Sequence, residues 1–231
     1  MKKIIAGLTM TLATILPASA VEFFSTAETE TIFDLGLRVG INTSNRTISD
    51  SFASKWNQNS WGTGFDAGVV CDVNFRDFIS IQPGFFYESR SGAFAYQNTD
   101  YNDAGDALTI TQVGRGREYL FTVPIVASFH FNLANNLRWN VDFGPYVQFK
   151  LKSTFDNKFS YPEATSFGGI SYYHDVKTSK CDVGLKMGTG VDIYRHYYVG
   201  VHYLAGLLNP WKPGRLGGHN KEWMFSVGYT F

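Results

Sequence analysis

Residues 33–42 read FDLGLRVGIN. The odd positions carry Phe33, Leu35, Leu37, Val39 and Ile41, and the even positions carry Asp34, Gly36, Arg38, Gly40 and Asn42. A period of two is that of a β-strand, whose successive side chains point to opposite faces. This stretch is therefore a strand with one apolar face and one polar, glycine-rich face. The pattern returns at 61–73, where Trp61, Phe65, Ala67, Val69, Cys71 and Val73 oppose Gly62, Gly64, Asp66, Gly68 and Asp72. It returns again at 79–90, 119–130, 137–151 and 180–193, and more weakly at 197–207 and 222–231. That makes eight strands and no helical period.

Glycine decides which face is inside. Gly36, Gly40, Gly64, Gly68, Gly84, Gly144, Gly184, Gly188, Gly190, Gly200 and Gly228 all fall on polar faces. Glycine weakens a strand, so a solvated face has little use for so many. A small closed barrel does use them, because its interior is just wide enough for side chains and small residues must sit beside large ones. The polar face then looks inward and the apolar face outward, at lipid. The expected fold is all-β, an eight-stranded antiparallel transmembrane β-barrel of the outer-membrane type.

Composition agrees. Charged residues are 17% and aromatics 16%, against about 25% charge in an average domain. Twenty basic and twenty acidic residues balance, which speaks against general nucleic-acid binding. Lys2 and Lys3, the apolar run Ile4–Leu16, Pro17 and Ala18-Ser19-Ala20 read as a secretory signal peptide, 1–20. A periplasmic N-terminal segment, 21–31, and the barrel, 32–231, would follow. No later stretch reaches eighteen uninterrupted apolar residues, the length of a helical span. Short links near 74–77, 131–136 and 193–196 alternate with long polar ones at 43–59, 91–117, 153–176 and 208–220. Short turns at one end and long loops at the other fit a barrel exported to the bacterial outer membrane. Outward rings near the strand ends would form two aromatic girdles, Trp61, Tyr87, Tyr119 and Trp223 above, Phe129, Trp139, Tyr197 and Tyr229 below.

The chain ends WMFSVGYTF, with Phe225, Val227, Tyr229 and Phe231 on one face. Such an ending resembles the assembly signal read by the bacterial barrel-assembly machinery. The motifs LGLRVGIN (35–42), GFDAGVVCDVNF (64–75), ISIQPGFFYESR (79–90), YLFTVPIVASFHF (119–131) and VDFGPYVQFKL (141–151) together resemble the PorT-type outer-membrane β-barrel family of Bacteroidota. The resemblance implies a barrel and a location. One relative takes part in secretion, and no residue here carries that role over.

Arg38, Asp66, Glu88, Asp142, Lys150, Asp182, Lys186 and Glu222 are the principal inward charges. They are either a selectivity lining for a narrow porin or a salt-bridge network filling the lumen. The network is expected, because charges in a narrow lumen must pair. Arg38, Lys150 and Lys186 would each take an acid from Asp66, Glu88, Asp142, Asp182 and Glu222. Pro83, Pro124 and Pro145 should mark bulges or strand ends. Cys71 and Cys181 face lipid on opposite sides of the barrel, too far apart to bridge. The histidines show no metal spacing and no evident serine partner, so neither catalysis, metal nor cofactor is expected. What remains is a structural or surface-interaction role, with a ligand or protein partner reached through loops 43–59, 91–117 and 153–176. The alternatives are a narrow porin and a secretion accessory.

Overall fold

The computed structural model describes residues 22–46, 57–101, 107–160, 177–212 and 218–231; residues 1–20, read above as a signal peptide, lie outside them. The strands are β1 (Phe33–Arg46), β2 (Asn57–Arg76), β3 (Ile79–Tyr101), β4 (Ala107–Ala134), β5 (Leu137–Ser160), β6 (Lys177–Thr178), β7 (Cys181–Ile193), β8 (Tyr197–Gly206), β9 (Trp211–Lys212) and β10 (Asn220–Thr230). Eight of them close into a barrel in the order β1-β10-β8-β7-β5-β4-β3-β2. Every neighbouring pair is antiparallel, and β1 pairs with β10 from Gly36↔Thr230 to Arg46↔Asn220, so at that level the ladder closes without an edge. The short strands β6 and β9 form a separate two-stranded ribbon at the loop end.

The barrel is inside out. Leu37, Val39, Ile41, Val69, Phe85, Phe143 and Phe225 are exposed, while Arg38, Asn42, Asp66, Glu88, Asp142, Lys186 and Glu222 are buried. Along β1 the exposure alternates residue by residue, which is what a lipid face backed by a filled lumen requires. Outward rings pair near both rims. Tyr87 stacks on Tyr119 at 6.3 Å and Tyr203 meets Trp223 at 4.8 Å above; Phe131 meets Trp139 at 5.2 Å and Tyr197 meets Tyr229 at 5.5 Å below.

The N-terminal segment is stitched across the short-turn end. Asn132, Asp77 and Asn74 donate backbone hydrogen bonds to the carbonyls of Phe23, Ala27 and Ile32. Phe23 stacks on Phe131 and Phe24 packs against Phe78. In the turn joining β7 to β8, Tyr194 and Arg195 both adopt positive φ, 54° and 61°.

Two expectations are corrected. Most of the long link 91–117 and the first part of 153–176 are strand: β3 runs on to Tyr101, β4 begins at Ala107 and β5 runs on to Ser160. The prolines do not sit at bulges. The β2–β3 and β4–β5 registers lose pairs beside Pro83, Pro124 and Pro145 but resume unchanged, because a missing N–H costs one ladder bond and adds no residue. The register shifts lie elsewhere, at Trp61/Phe65, Asn74/Arg76, Tyr119/Leu120 and Asn132/Ala134.

Candidate functional site

The lumen is the candidate site, and its side chains form three layers. At the short-turn end a cavity of about 300 Å³ is lined by residues including Asp34, Arg38, Asp72, Gln82, His130 and Arg138. Beside it runs a chain of hydrogen bonds. Ser80 Oγ lies 2.9 Å from His130 Nε2, and His130 Nδ1 lies 2.8 Å from Asn140 Oδ1. Asn140 Nδ2 donates to Asp192 Oδ2 at 2.7 Å, as does Arg138 Nη2 at 3.0 Å. Because the Asn140 amide nitrogen faces Asp192, its oxygen accepts from His130 Nδ1–H, and the single Ser80 hydroxyl proton is shared between His130 Nε2 and Asp72 Oδ1. This serine–histidine contact was not legible from the sequence. Ser80 is fully enclosed and also lies 3.2 Å from Asp72 Oδ1, so the group links β2, β3, β4, β5 and β7 across the wall.

The middle layer is where the ion-pair expectation fails. Arg38 lies with its guanidinium carbon 3.1 Å from the Tyr198 ring centroid, and its Nη1 has no hydrogen-bond partner. Lys186 Nζ sits 4.8 Å from the Phe86 ring centroid. Neither makes an ion pair among the described residues: aromatic faces hold these two cations in place of carboxylates. Tyr198 can lie flat because Gly190 and Gly200 are beneath it, where a Cβ would strike its ring. Asp142 accepts from Ser128 Oγ at 2.5 Å and contacts His202 Nε2 at 2.8 Å. Beside these groups Val70, Phe86, Tyr146, Leu204 and Met224 form a contiguous apolar cluster, each at most 3% exposed. Inward apolar residues of this size were not expected from the sequence. They and the stacked cations fill the bore.

The upper layer is an ion-pair hub. Glu118 takes Arg46 Nη2 at 2.6 Å, Lys150 Nζ at 2.6 Å and Arg90 Nε at 3.3 Å. Lys150 thus has an acid, but not one of the five expected. Glu118, Arg46 and Arg90 share the even-numbered, inward parity of Glu88 and could have been found by extending the alternation; Arg90 and Glu118 are direct cross-strand partners. Arg90 Nη1 lies 3.6 Å from Glu222, whose carboxylate oxygens have no hydrogen-bond partner. Asp182 accepts from Asn220 Nδ2 at 2.6 Å, Glu88 accepts from Gln148 at 3.1 Å, and Asp66 contacts Ser226 Oγ at 3.5 Å. Among the described residues a cavity beside Arg46, Arg90 and Lys150 measures about 10 Å³, room for about one water. Cys71 and Cys181 are free, on strands half the ring apart. No group of three metal-ligating side chains is present among the described residues.

The C-terminal pattern lies on the barrel exterior. Phe225, Val227 and Tyr229 are exposed on β10, and Phe231 follows it, donating its backbone N–H to Leu35 O.

Among solved structures the chain is similar to Ail, the attachment invasion locus protein of Yersinia pestis, with a TM-score of 0.43 and 11% identity over 87% of this chain and 100% of that one. It is also similar to OprG of Pseudomonas aeruginosa, with a TM-score of 0.36 and 13% identity over 90% and 98% of the two chains. Neisserial surface protein A gives a TM-score of 0.36 and 11% identity over 84% and 97%. No match was found among curated protein sequences. The family model described as outer membrane protein beta-barrel domain matches residues 27–210, from the N-terminal segment through β8. The chain therefore belongs to the outer membrane protein beta-barrel domain family.

Proposed function

We propose that this outer-membrane barrel is a plugged scaffold that presents a β-ribbon for surface interaction. The ribbon carries the reading. Tyr87 marks the upper girdle, and β3 continues for fourteen residues to Tyr101, about 45 Å of strand at ~3.3 Å per residue. On the opposite wall, β8 ends at Gly206, three residues beyond Tyr203. One side of the barrel thus rises well above the other. Among the described residues β5 pairs from Lys152 to Ser160 with β4 alone, since its ladder with β7 ends at Phe149↔Cys181. An unpaired strand edge above the membrane is a template for adding a strand from a partner. The filled lumen supports this over the narrow porin.

The narrower kinship with PorT-type barrels belongs to the same proposal, as do export by residues 1–20, outer-membrane lipid around the barrel and recognition of Phe225, Val227, Tyr229 and Phe231 by the assembly machinery. A secretion-accessory role would use the same ribbon. The test places a photo-crosslinking amino acid at Lys158 on intact cells. A defined adduct, lost when Asn157 and Phe159 are replaced by proline in a barrel that still folds, is the expected result. Absence of any adduct, together with stable channels in planar bilayers, would overturn the reading in favour of the porin.

A further inference from the structure

The vestibule at the short-turn end holds charges that the protein itself does not balance. Its cavity of about 300 Å³ falls at the lower end of the range of ligand pockets, about 300–1,000 Å³. The rim residues Glu30, Tyr194, Arg195 and Phe231 are exposed, whereas Arg38, Asp72 and His130 on the floor are each at most 7% exposed. Two of the lining acids have cations: Asp192 takes Arg138 at 3.0 Å and Asp77 takes Arg195 at 3.4 Å. Asp34, Asp72 and Arg38 make no ion pair among the described residues. Asp34 accepts from the neutral donors Thr31 Oγ1 at 2.8 Å and Asn74 Nδ2 at 2.7 Å. Asp72 accepts from Gln82 Nε2 at 2.8 Å and lies 3.2 Å from Ser80 Oγ. Two acids and one cation are thus left over in a cavity open to solvent.

Their placement separates the two signs. Asp34 on β1 and Asp72 on β2 are direct cross-strand partners. Like charges directly opposite repel, and an ammonium between them removes the repulsion. Arg38 lies deeper, four residues further along β1. Its stem crosses β10 at Gly228, where a Cβ would lie 3.2 Å from Arg38 Cδ, and its guanidinium rests on the Tyr198 ring of β8. The fork is therefore held in place before any ligand arrives, and a planar guanidinium takes a carboxylate through two parallel hydrogen bonds. From β1 to β8 is two strand spacings, about 10 Å. A single amino acid carries its ammonium and carboxylate on one carbon and cannot span that gap. Three extended residues, at about 3.3–3.6 Å each, can.

We propose that the vestibule binds a free peptide of about three residues, with its carboxylate on Arg38 and its terminal ammonium between Asp34 and Asp72. Capture of chain termini by fixed charges is an established mode of peptide recognition. The peptide enters from the short-turn end, which faces the periplasm in barrels of this architecture. It stops there, because the apolar cluster around Phe86 and Tyr146 fills the bore above it. The site is a receptor rather than a route, and it is separate from the ribbon at the loop end.

Histidine-ring NMR of the full chain folded in micelles tests this, since His130 and His196 both line the cavity. Trialanine is the probe, compared with its N-acetyl derivative and its C-terminal amide. Trialanine should shift both ring signals saturably, and each blocked peptide should bind at least about tenfold more weakly. Arg38→Gln should bind trialanine and its amide equally, and D34N/D72N should bind trialanine and its N-acetyl derivative equally. Heat-modifiable gel migration checks that each variant is folded, and the comparison of the three peptides on the wild type needs no variant. No saturable shift with trialanine, equal binding of all three peptides, or discrimination that persists in the folded variants would overturn the proposal. Free alanine binding as tightly as trialanine would overturn the assignment to a peptide.

Discussion

Replacing Glu118 by Gln should unfold the barrel far more readily than replacing Glu222 by Gln. Both acids are buried in the upper lumen, but their surroundings differ. The Glu118 carboxylate is shared by Arg46, Arg90 and Lys150, whose side chains are 13%, 6% and 9% exposed. Glutamine keeps the volume and removes the charge, leaving Arg90 with Glu222 at 3.6 Å and taking from Arg46 and Lys150 their 2.6 Å contacts to the Glu118 carboxylate. Removing one member of a buried pair costs about 3–5 kcal/mol. Arg46 and Lys150 lie near the mouth and can turn toward water, which favours the lower value of about 3 kcal/mol. With a urea slope of about 2 kcal/mol per molar, the unfolding midpoint should fall by about 1.5 M. Glu222 has no contact to Arg90 closer than 3.6 Å and lies among Glu88 and Asp66 as well as Arg90. Its neutralisation should shift the midpoint by less than about 0.5 M, in either direction. Reversible urea unfolding in micelles, followed by tryptophan fluorescence, measures both. A Glu118→Gln midpoint within about 0.5 M of wild type, or equal losses for the two variants, would refute the hub.

Phe86→Ala combined with Tyr146→Ala should convert a silent barrel into one with measurable conductance in planar bilayers; equal silence would show that the apolar cluster is not the barrier. Gly200→Ala should cost about 1–3 kcal/mol in urea unfolding by displacing the Tyr198 ring that carries Arg38. Val69→Arg should cost about 2–4 kcal/mol if Val69 meets lipid near the midplane, and bilayer folding as complete as that of the parent would contradict the outward assignment. Tyr194→Asn should raise stability by about 1 kcal/mol, since asparagine tolerates the left-handed backbone better than tyrosine.

The membrane-embedded part of the fold was legible because one face of each strand meets lipid. In FDLGLRVGIN every second side chain must be apolar, and no other arrangement of that segment satisfies both neighbours. Above the girdle the signal disappears. QNTDY (97–101) and ALTITQV (107–113) lie on strands of the same ladder, yet the ribbon there leaves the lipid and needs no apolar face. Backbone hydrogen bonds carry no period, so the extension of β3, β4 and β5 was invisible. The lumen was half legible. Parity identified Arg38, Asp142 and Lys186 as inward, but which charges meet depends on strand stagger and rotamer. Val70, Phe86, Leu204 and Met224 were concealed because each only joins its outward neighbours into a short apolar run, at 69–71, 85–87, 203–205 and 223–225, which the surrounding alternation outweighs.

The inside-out alternation also bears on how such a chain reaches its membrane. Polar residues and glycines interrupt the apolar positions of every strand, and the mean hydropathy of the whole chain is −0.13. A translocation channel that sorts segments by their average hydrophobicity has no reason to release this one sideways into the first bilayer it crosses. The apolar surface exists only after β1 has met β10. The lipid-facing character of this protein is thus a property of the closed ring and is hidden in transit, when the unpaired strands pass as ordinary polar chain.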